Sequence, residues 1–421
     1  MESITISGGK RLCGTLELSG SKNAVLPILA ATAAIGEPCE ISNCPSIRDV
    51  DTALEILDYL GCRVQKSGHT VTVDASRRTG AAVPEDLSLQ MRSSVLFLGA
   101  LAGAGQKTEL HTPGGCVLGK RPIDLHLSGL QTLGAQITVE GSRILCREGR
   151  LTGGTVLLPY PSVGATENLM LAALGAAAPV MIVGAAREPE IADLADFLTA
   201  CGASVIGAGT SAIRISGGKL HGARYGVMPD RMEAVTYLSA AASAGGDLTV
   251  TGAVPGHITP VLQFLRSAGC KITCGEDRIR LECDRLCAGR PVLTGPYPAF
   301  PTDAQPTVMA AMLKAEGVTV FAETVFENRF RQVPELRKLG ADITVAGRIA
   351  AVRGVKTLHS AQMNATDLRG GAAMLVAALG AEGMSTVTHL QYVERGYEKL
   401  TEKLRAIGAE ITEETSDKGS E

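Results

Sequence analysis

A thiol lies among glycines and next to two cations in the stretch PGGCVLGKRP, residues 113–122. Glycines give the backbone freedom, and Lys120 and Arg121 would stabilise either a thiolate at Cys116 or an anionic ligand nearby. A cysteine is also a small hydrophobe that proteins commonly bury, which is a role without chemistry. The pattern alone therefore leaves a reactive thiol and a buried core cysteine as alternatives.

Six segments of the chain share one pattern, in which a helical run of apolar residues ends at a glycine and a β-rich run follows. Their glycines recur about every 70 residues, a period too long for the common solenoids. A glycine that ends a helix adopts a positive φ, which most other residues avoid. We therefore predict six structural units, marked by Gly61, Gly134, Gly202, Gly269, Gly340 and Gly408.

Each unit also has an earlier helix rich in small residues, such as AVLPILAATAAIG at 24–36 and PTVMAAMLKAEG at 306–317. Helices that are apolar nearly all round are buried and closely packed. Each unit is therefore expected to contain a helix, a strand, a second helix and further strands. Six such units in 421 residues fit two compact α/β domains of three units each, with a boundary near residue 230 and a ligand cleft between the domains.

The starts of these six small-residue helices carry mostly cations. The residues at these positions are Lys22, Arg92, Gly164, Arg231, Asp303 and Arg369. A cation is unfavourable at the positive end of the helix dipole, so its repetition suggests a function. Helix N-termini with Lys or Arg form anion sites, above all for phosphates and carboxylates, whereas ordinary surface ion pairing is the alternative. We expect the cleft to bind an anionic, phosphorylated substrate.

Asp303 is the exception, an acid where most of its counterparts are cations. One interpretation is structural, with Thr302 as the N-cap, Asp303 in the first turn and Gln305 completing a capping box. The other is a general base for a substrate hydroxyl in a cationic cleft. A carboxylate is ordinarily a weak base, so burial would have to strengthen it. Both interpretations stay open at this stage.

The composition argues against several classes of protein. Forty basic against forty-three acidic residues give a net charge of −3, and 3% of residues are aromatic, so we expect no nucleic-acid partner. There is no apolar run of membrane-spanning length and no signal-peptide core in MESITISGGKRLCG, so a cytoplasmic protein without a membrane partner is predicted. Eleven irregularly spaced cysteines favour reduced thiols. The spacing of Cys270, Cys274, Cys283 and Cys287 departs from that of a usual zinc site, and we predict no metal there.

Nine motifs follow one another along almost the whole chain. They are SGSKNAVLPILAA (19–31), PGGCVLGKRPIDLHLSGLQTLGA (113–135), PSVGATEN (161–168), AAREPEI (185–191), PDRMEA (229–234), FPTDAQ (300–305), ENRF (327–330), ATDLRGG (365–371) and ERGYEKL (394–400). In this order they resemble the UDP-N-acetylglucosamine 1-carboxyvinyltransferase family. The related 5-enolpyruvylshikimate-3-phosphate synthases share the six-unit architecture but lack the Gly-Gly-Cys loop, so the resemblance is specific.

The resemblance implies two inside-out α/β barrel domains, each of three βαβαββ repeats, with the active site in the interdomain cleft. The first domain would span residues 22–229 and carry the loop of Cys116 as a lid. The second domain would combine residues 1–21 with 230–412. Residues 413–421 would form a polar tail.

The resemblance also implies a reaction. The family transfers the enolpyruvyl group of phosphoenolpyruvate to the 3′-hydroxyl of UDP-N-acetylglucosamine, the first committed step of peptidoglycan synthesis. Cys116 would be the loop acid, the residue that fosfomycin alkylates and the site of a phosphoenolpyruvate adduct, while Asp303 would be the base. The implied catalytic residues are Cys116, Asp303, Lys22 and Arg395.

Substrate contacts carried over from the family fall into three groups. Phosphoenolpyruvate would be held by Lys22, Asn23, Arg121 and Arg395. The UDP-sugar would contact Arg92, Arg121, Pro122, Ile123, Asp124, Leu125, Ser162, Val163, Gly164, Asp303 and Val325, and the supporting charge network would consist of Asp367 and Arg369. In one departure from the family, Tyr160 and Pro161 stand where some members have a lysine that contacts the diphosphate.

The resemblance implies no cofactor and no partner beyond the two substrates, apart from feedback inhibition by a later UDP-linked cell-wall precursor. Two other functions stay open. One is the same transfer onto a shikimate-type acceptor, which the Gly-Gly-Cys loop opposes. The other is a repeat scaffold without activity, which the intact set of Lys22, Cys116, Asp303 and Arg395 opposes.

Overall fold

The structure, a computed structural model, describes residues 3–114, 122–147 and 149–414. These residues form two compact units. The first unit comprises the described residues of 20–228, and the second unit comprises 3–19 together with 229–414. Both units mix helices and strands, as the repeated pattern of the sequence predicts.

Thirteen α-helices occur in the described residues. They are α1 (Lys22–Ile35), α2 (Arg48–Tyr59), α3 (Glu85–Gln90), α4 (Leu96–Gly103), α5 (Asp124–Thr132), α6 (Val163–Ala173), α7 (Pro189–Ala200), α8 (Arg231–Ala244), α9 (Thr259–Ser267), α10 (Gln305–Ala311), α11 (Val333–Lys338), α12 (Leu368–Gly380) and α13 (Leu400–Ala406). Short 3-10 turns cover Arg92–Val95, Pro255–Ile258, Met312–Lys314 and Leu390–Tyr392.

Twenty-three strands occur in the same residues. They are β1 (Ser3–Ser7), β2 (Leu12–Glu17), β3 (Cys39–Ser42), β4 (Arg63–Ser67), β5 (Thr70–Asp74), β6 (Thr108–His111), β7 (Ile137–Glu140), β8 (Arg143–Cys146), β9 (Gly154–Leu157), β10 (Val180–Val183), β11 (Ser204–Ile206), β12 (Ala212–Ser216), β13 (Arg224–Gly226), β14 (Gly246–Thr251), β15 (Lys271–Cys274), β16 (Arg278–Cys283), β17 (Val292–Leu293), β18 (Val318–Ala322), β19 (Asp342–Ala346), β20 (Ile349–Arg353), β21 (Gln362–Asn364), β22 (Met384–Thr388) and β23 (Glu410–Glu414).

The core of the first unit is built on three central helices, α1, α4 and α6, which pack against one another. All residues of α4 are buried, which its small and apolar side chains allow. Backbones approach closely here, since a Cβ added at Gly99 would lie 2.2 Å from the backbone oxygen of Asn168. The three sheets of this unit have the strand orders β13-β3-β5-β4, β6-β8-β7 and β11-β12-β10-β9.

The second unit repeats this arrangement around α8, α10 and α12, which also pack against one another. Its sheets have the orders β15-β16-β14-β2, β17-β18-β20-β19 and β21-β22-β1-β23. The first two strands of the chain belong to it, because β2 pairs in parallel with β14 and β1 lies antiparallel between β22 and β23. The start of the chain is thereby joined to its end.

The predicted helix-ending glycines are confirmed. Their φ angles are 84° at Gly61, 97° at Gly134, 91° at Gly202, 102° at Gly269, 87° at Gly340 and 101° at Gly408. All six lie in the left-handed region that a side chain disfavours. With three sheets around three buried helices in each unit, the structure also agrees with the predicted fold class of two α/β domains.

Of the helices in the described parts of the chain, none combines the length and apolarity that crossing a membrane requires. Across those same ranges, no group of three or more His, Cys, Asp or Glu side chains is arranged to hold a metal ion. Within the four-cysteine segment, Cys270 and Cys283 are buried, whereas Cys274 and Cys287 are exposed.

Candidate active site

Lys22 is the first residue of α1 in the first unit. Its Nζ lies 2.7 Å from Asp49 Oδ2, and the two side chains are only 11% and 5% exposed. Asp49 belongs to the first turn of α2, where an acid is favourable for the helix dipole. Because a buried cation is costly without a partner, Asp49 stabilises a charge that the start of α1 disfavours. The neighbouring Asn23 is exposed.

Arg92 begins the 3-10 turn that leads into α4. Its Nη2 donates a hydrogen bond to the carbonyl oxygen of Pro122 at 3.1 Å. Pro122 precedes Ile123 and Asp124, which are the N-cap and the first residue of α5, and Leu125 follows half-buried. The structure therefore brings Arg92 together with the start of segment 122–125.

Ser162 is the N-cap of α6, and its Oγ accepts a hydrogen bond from the backbone N of Ala165 at 3.3 Å. Val163 and Gly164 form the first turn of the helix, and both are half-buried. His126 of α5 lies against this turn, since a Cβ added at Gly164 would be 3.2 Å from His126 Cε1. Segments 122–125 and 162–164 are therefore neighbours in the first unit.

The imidazole of His126 is oriented by Asn168. The backbone N of Gly99 donates to Asn168 Oδ1 at 2.8 Å, which places the amide nitrogen 3.0 Å from His126 Nδ1. An amide nitrogen only donates, so Nδ1 is the acceptor and a neutral imidazole carries its proton on Nε2. His126 is 5% exposed. It therefore lies beside Gly164 as an oriented N–H donor.

Asp303 lies just before α10 in the second unit. This helix begins at Gln305 with Ala304 as its N-cap, and no side chain of the described residues caps it. Thr302 Oγ1 instead donates to Glu323 Oε2 at 2.9 Å. The capping-box interpretation of Thr302, Asp303 and Gln305 is therefore wrong, because the Thr302 hydroxyl donates to Glu323, which follows strand β18, instead of capping α10.

Two buried guanidinium groups hold the Asp303 carboxylate. Arg329 Nη2 donates to Oδ1 at 3.0 Å, and Arg369 Nε donates to Oδ2 at 3.2 Å. The Arg329 and Arg369 side chains are 1% and 3% exposed, whereas that of Asp303 is 32% exposed. Neighbouring cations favour the ionised form of a carboxylate. Asp303 is thus anchored from the protein side and accessible from the other, which suits a group that accepts a proton from a ligand.

Asp367 is the N-cap of α12, and its Oδ1 accepts from the backbone N of Arg369 and of Gly370, each at 3.1 Å. The Arg369 guanidinium lies over the ring of Tyr397, 5.2 Å from the ring centroid. Burial alone would lower the pKa of Arg369, but Tyr397, Asp303 and Asp230 raise it above its ordinary value. Its Nη1 is buried without a hydrogen-bond partner among the described residues. Asp303 and Tyr397 offset the cost of burying this cation.

The remaining predicted residues divide into two groups. Val325 is half-buried, and its backbone N donates to Glu323 Oε1 at 2.7 Å. Arg395 is half-buried in the segment that follows the 3-10 turn Leu390–Tyr392. Cys116 and Arg121 lie outside the described residues.

Sequence reasoning gave no role to Asp49, Arg329 or Tyr397. Arg329 and Tyr397 stand inside the motifs ENRF and ERGYEKL, so the resemblance contained a signal for both. Asp49 had only a weak local signal, an acid in the first turn of a helix. Local spacing does not predict how these residues pair. Asp49 pairs with Lys22, Arg329 with Asp303 and Tyr397 with Arg369, and each partner comes from a distant part of the chain.

Comparisons with known proteins extend over almost the whole chain. The family model for EPSP synthase (3-phosphoshikimate 1-carboxyvinyltransferase) matches residues 6–404. The chain is 46% identical over 413 residues to UDP-N-acetylglucosamine 1-carboxyvinyltransferase 2 of Caldanaerobacter subterraneus subsp. tengcongensis, covering 98% of this chain and 99% of that protein. It is 42% identical over 417 residues to UDP-N-acetylglucosamine 1-carboxyvinyltransferase of Finegoldia magna, covering 98% of each.

Solved structures agree with the fold. The enolpyruvyl transferase NikO from Streptomyces tendae superposes with a TM-score of 0.88 at 27% identity, covering 98% of each chain. EPSP synthase from Acinetobacter baumannii gives a TM-score of 0.77 at 20% identity over 98% of this chain and all of that one, which shows the fold alone. As the nine motifs predict, the chain belongs to the UDP-N-acetylglucosamine 1-carboxyvinyltransferases, within the enolpyruvyl transferase family that includes EPSP synthase.

Proposed function

We propose that this protein transfers the enolpyruvyl group of phosphoenolpyruvate to the 3′-hydroxyl of UDP-N-acetylglucosamine and releases phosphate, as the first committed step of peptidoglycan synthesis. The observation that carries the proposal is the 46% identity, over 98% of the chain, to a protein named for this activity. An anchored carboxylate and several buried cations in the two units supply groups that such a transfer needs.

The reaction proceeds by addition and elimination. C3 of phosphoenolpyruvate gains a proton while the sugar 3′-oxygen bonds to C2, which forms a tetrahedral phosphoketal. C3 then loses a proton and C2 loses phosphate, which leaves the enol ether. The protein must therefore remove the hydroxyl proton, deliver and remove a proton at C3, and stabilise departing phosphate.

Asp303 is the proposed base for the 3′-hydroxyl. Its ion pairs with Arg329 and Arg369 favour the ionised form, which can accept a proton, and its side chain keeps 32% of its surface accessible. A positioned base contributes about 10²–10⁴-fold to a rate. The two guanidinium groups also weaken the base, so its orientation must supply a large part of the effect.

Lys22, Asn23, Arg121 and Arg395 are the proposed ligands of phosphoenolpyruvate. Lys22 is held in place by Asp49 at 2.7 Å, which limits the motion of its ammonium group. Cations that are fixed before the reaction stabilise phosphate as it leaves. Asp367 and Arg369 are the proposed supporting charge network.

Cys116 is the proposed acid that protonates C3. A thiol ordinarily has a pKa of about 8.5, and cations such as Lys120 and Arg121 lower that of a neighbouring thiol. Such a group stays mostly protonated near neutral pH and can still give up its proton. Gly114, Gly115 and Gly119 in the same stretch are proposed to let it close over bound substrate, which would exclude water.

The UDP-sugar is proposed to lie along the first unit, where Arg92 meets Pro122 and where the start of α6 lies beside α5. Segments 122–125 and 162–164 would provide backbone donors and acceptors, and His126 would support them. Val325 and Asp303 are the further proposed ligands of the sugar. Tyr160, which is 43% exposed, stands where some family members place a diphosphate-binding lysine, so the diphosphate contacts of this chain would differ from theirs.

Transfer onto shikimate 3-phosphate is the second candidate, because the matching family model is that of EPSP synthase. The Gly-Gly-Cys run at 114–116 and the identities of 42–46% favour the UDP-sugar. The test is phosphate release from phosphoenolpyruvate with each acceptor alone. Release with UDP-N-acetylglucosamine and none with shikimate 3-phosphate is expected, and the reverse result would overturn the proposal.

The proposal requires no metal or organic cofactor, because the chain's own residues supply every proton transfer and every cation. Dialysis against a chelator should accordingly leave phosphate release unchanged. We further propose that the enzyme works in the cytoplasm without a nucleic-acid or membrane partner. A later UDP-linked cell-wall precursor would inhibit it at the UDP-sugar site, competitively with UDP-N-acetylglucosamine.

A further inference from the structure

Arg329 contacts the segment of the proposed base at two points. Its Nε and Nη2 donate to the carbonyl oxygen of Thr302 at 3.1 and 3.0 Å, and Nη2 also donates to Asp303 Oδ1 at 3.0 Å. One guanidinium thus holds both the backbone before Asp303 and the carboxylate itself. We propose that Arg329 is the positioning residue that sets the orientation and the ionisation of Asp303, an inference that rests on the proposed function.

The guanidinium of Arg329 is itself fixed. It is 1% exposed, and its Nη1 lies 3.9 Å from Asp367 Oδ1. Its Cζ lies over the ring of Phe326, 5.7 Å from the ring centroid. A planar fork with several donors can serve a carbonyl and a carboxylate at once, whereas a lysine ammonium is a point charge on a flexible stem. The contacts therefore require arginine geometry as well as positive charge.

Asp303 is surrounded by several further charged or titratable groups. Arg369 contacts Oδ2 from the start of α12, and Asp367 Oδ1 lies 3.9 Å from Arg329 Nη1. More distant groups are Glu323, which accepts from Thr302, and Asp230 and Tyr397, which face Arg369. Losing the Arg329 charge would remove one of the cations on Asp303 and leave several acids near it. Protonated Asp303 would then be favoured at a higher pH than in the wild type.

Two substitutions separate orientation from charge. Arg329→Gln removes the cation, so the acid limb of the kcat profile should move upward by about one pH unit. Arg329→Lys keeps the cation and loses the fork, so its acid limb should stay near that of the wild type while kcat falls by up to about 10²-fold. In both variants KM for phosphoenolpyruvate should change little, because Arg329 is not a proposed substrate ligand.

Arg337→Lys is the matched control. Arg337 donates from Nε and Nη2 to the carbonyl oxygen of Ile343 at 3.1 and 2.6 Å, and it lies in α11, shortly after Arg329 in the chain. Arg337→Lys therefore removes the same kind of guanidinium hydrogen bonds to a carbonyl oxygen as Arg329→Lys does. It does not affect a contact with Asp303. Its kcat and pH profile should match those of the wild type.

The deciding experiment is phosphate release across pH 5–9 for the wild type, Arg329→Lys, Arg329→Gln, Asp303→Asn and the double variant Asp303→Asn/Arg329→Lys, each with a melting curve. If Arg329 acts through Asp303, the lysine change should not slow the Asp303→Asn enzyme further. An equal loss in both backgrounds would overturn the inference, as would a folded Arg329→Lys protein with wild-type kcat and pH profile. Absence of activity in the wild type would overturn the proposed function itself. If Arg329→Gln does not fold, the lysine pair still decides.

Discussion

Changing Asp303 to Asn tests the site most directly, because it keeps the shape of the side chain and removes its charge. The Asn amide oxygen can accept from one guanidinium, but its NH₂ group then faces the donors of the other. Removing one partner of a buried ion pair costs about 3–5 kcal/mol. The Asp303 side chain is 32% exposed, so solvent screening reduces this to about 1–3 kcal/mol. A unit of this size should then melt lower by about 2–10 °C.

The expected loss of stability distinguishes an Asp303 carboxylate that is paired with two arginines from an Asp303 that only starts a helix. If Asp303 were a helix-start residue, Asn would replace it at a cost below about 1 kcal/mol. Asp342→Asn is the control, because Asp342 pairs with Arg353 at 3.5 Å on the surface, where the side chains are 52% and 70% exposed. That variant should melt like the wild type, since exposed ion pairs contribute little.

The expected loss of activity in Asp303→Asn is about 10²–10⁴-fold, the usual contribution of a positioned base. Melting temperature, UDP-N-acetylglucosamine affinity and phosphate release should be measured on one preparation. Affinity should stay near that of the wild type, because the substitution keeps the shape of the side chain. Near wild-type phosphate release would refute the base assignment. An unchanged melting temperature would refute the inference that the two arginines depend on this charge.

Three further predictions concern other parts of the chain. Cys116→Ser should nearly abolish phosphate release, whereas Cys116→Asp should keep some activity with a lower pH optimum and escape fosfomycin; full activity of the serine variant would remove the thiol from the mechanism. Burial raises the pKa of Asp193 to about 6, so the folded protein binds this proton more tightly than the unfolded chain. The free energy of unfolding should therefore fall as the pH rises from about 4 to 6. Asp193→Asn should weaken this pH dependence in melting curves recorded across that range. An unchanged pH dependence would contradict the assignment of the effect to Asp193. In denaturant unfolding, Gly202→Ala should lower the free energy of unfolding by more than the roughly 1 kcal/mol expected of Gly340→Ala. The added Cβ at position 202 would lie 2.5 Å from a carbonyl oxygen, whereas that at position 340 would lie 3.7 Å from a ring carbon. Equal losses would show that φ alone decides.

The repeat architecture could be read from the sequence because its signals are local. A glycine after a helical run has few alternatives to a left-handed cap, and all six glycines adopt one. Small apolar residues on every side of a helix leave burial as the stable solution, which α4 and α10 show. Each of these inferences needs fewer than about twenty neighbouring residues.

The partners of the charged residues could not be read in this way. Asp303 and Arg329 are separated by 26 positions, and Asp303 and Arg369 by 66. The sequence Thr-Asp-Ala-Gln also imitates a capping box, yet the Thr302 hydroxyl bonds to Glu323, 21 positions away. A local pattern predicts a cap correctly only when no distant carboxylate competes for the same donor.

The two units compensate the cations at their central helices in different ways. In the first unit the acid comes from outside the central helices, because Asp49 at the start of α2 pairs with Lys22. In the second unit the acid lies just before a central helix, since Asp303 precedes α10 and pairs with Arg369 of α12. The side chain of Asp49 is 5% exposed, whereas that of Asp303 is 32% exposed. The same requirement for charge balance therefore produces a buried acid in one unit and a more accessible acid in the other, and the accessible one is the proposed base.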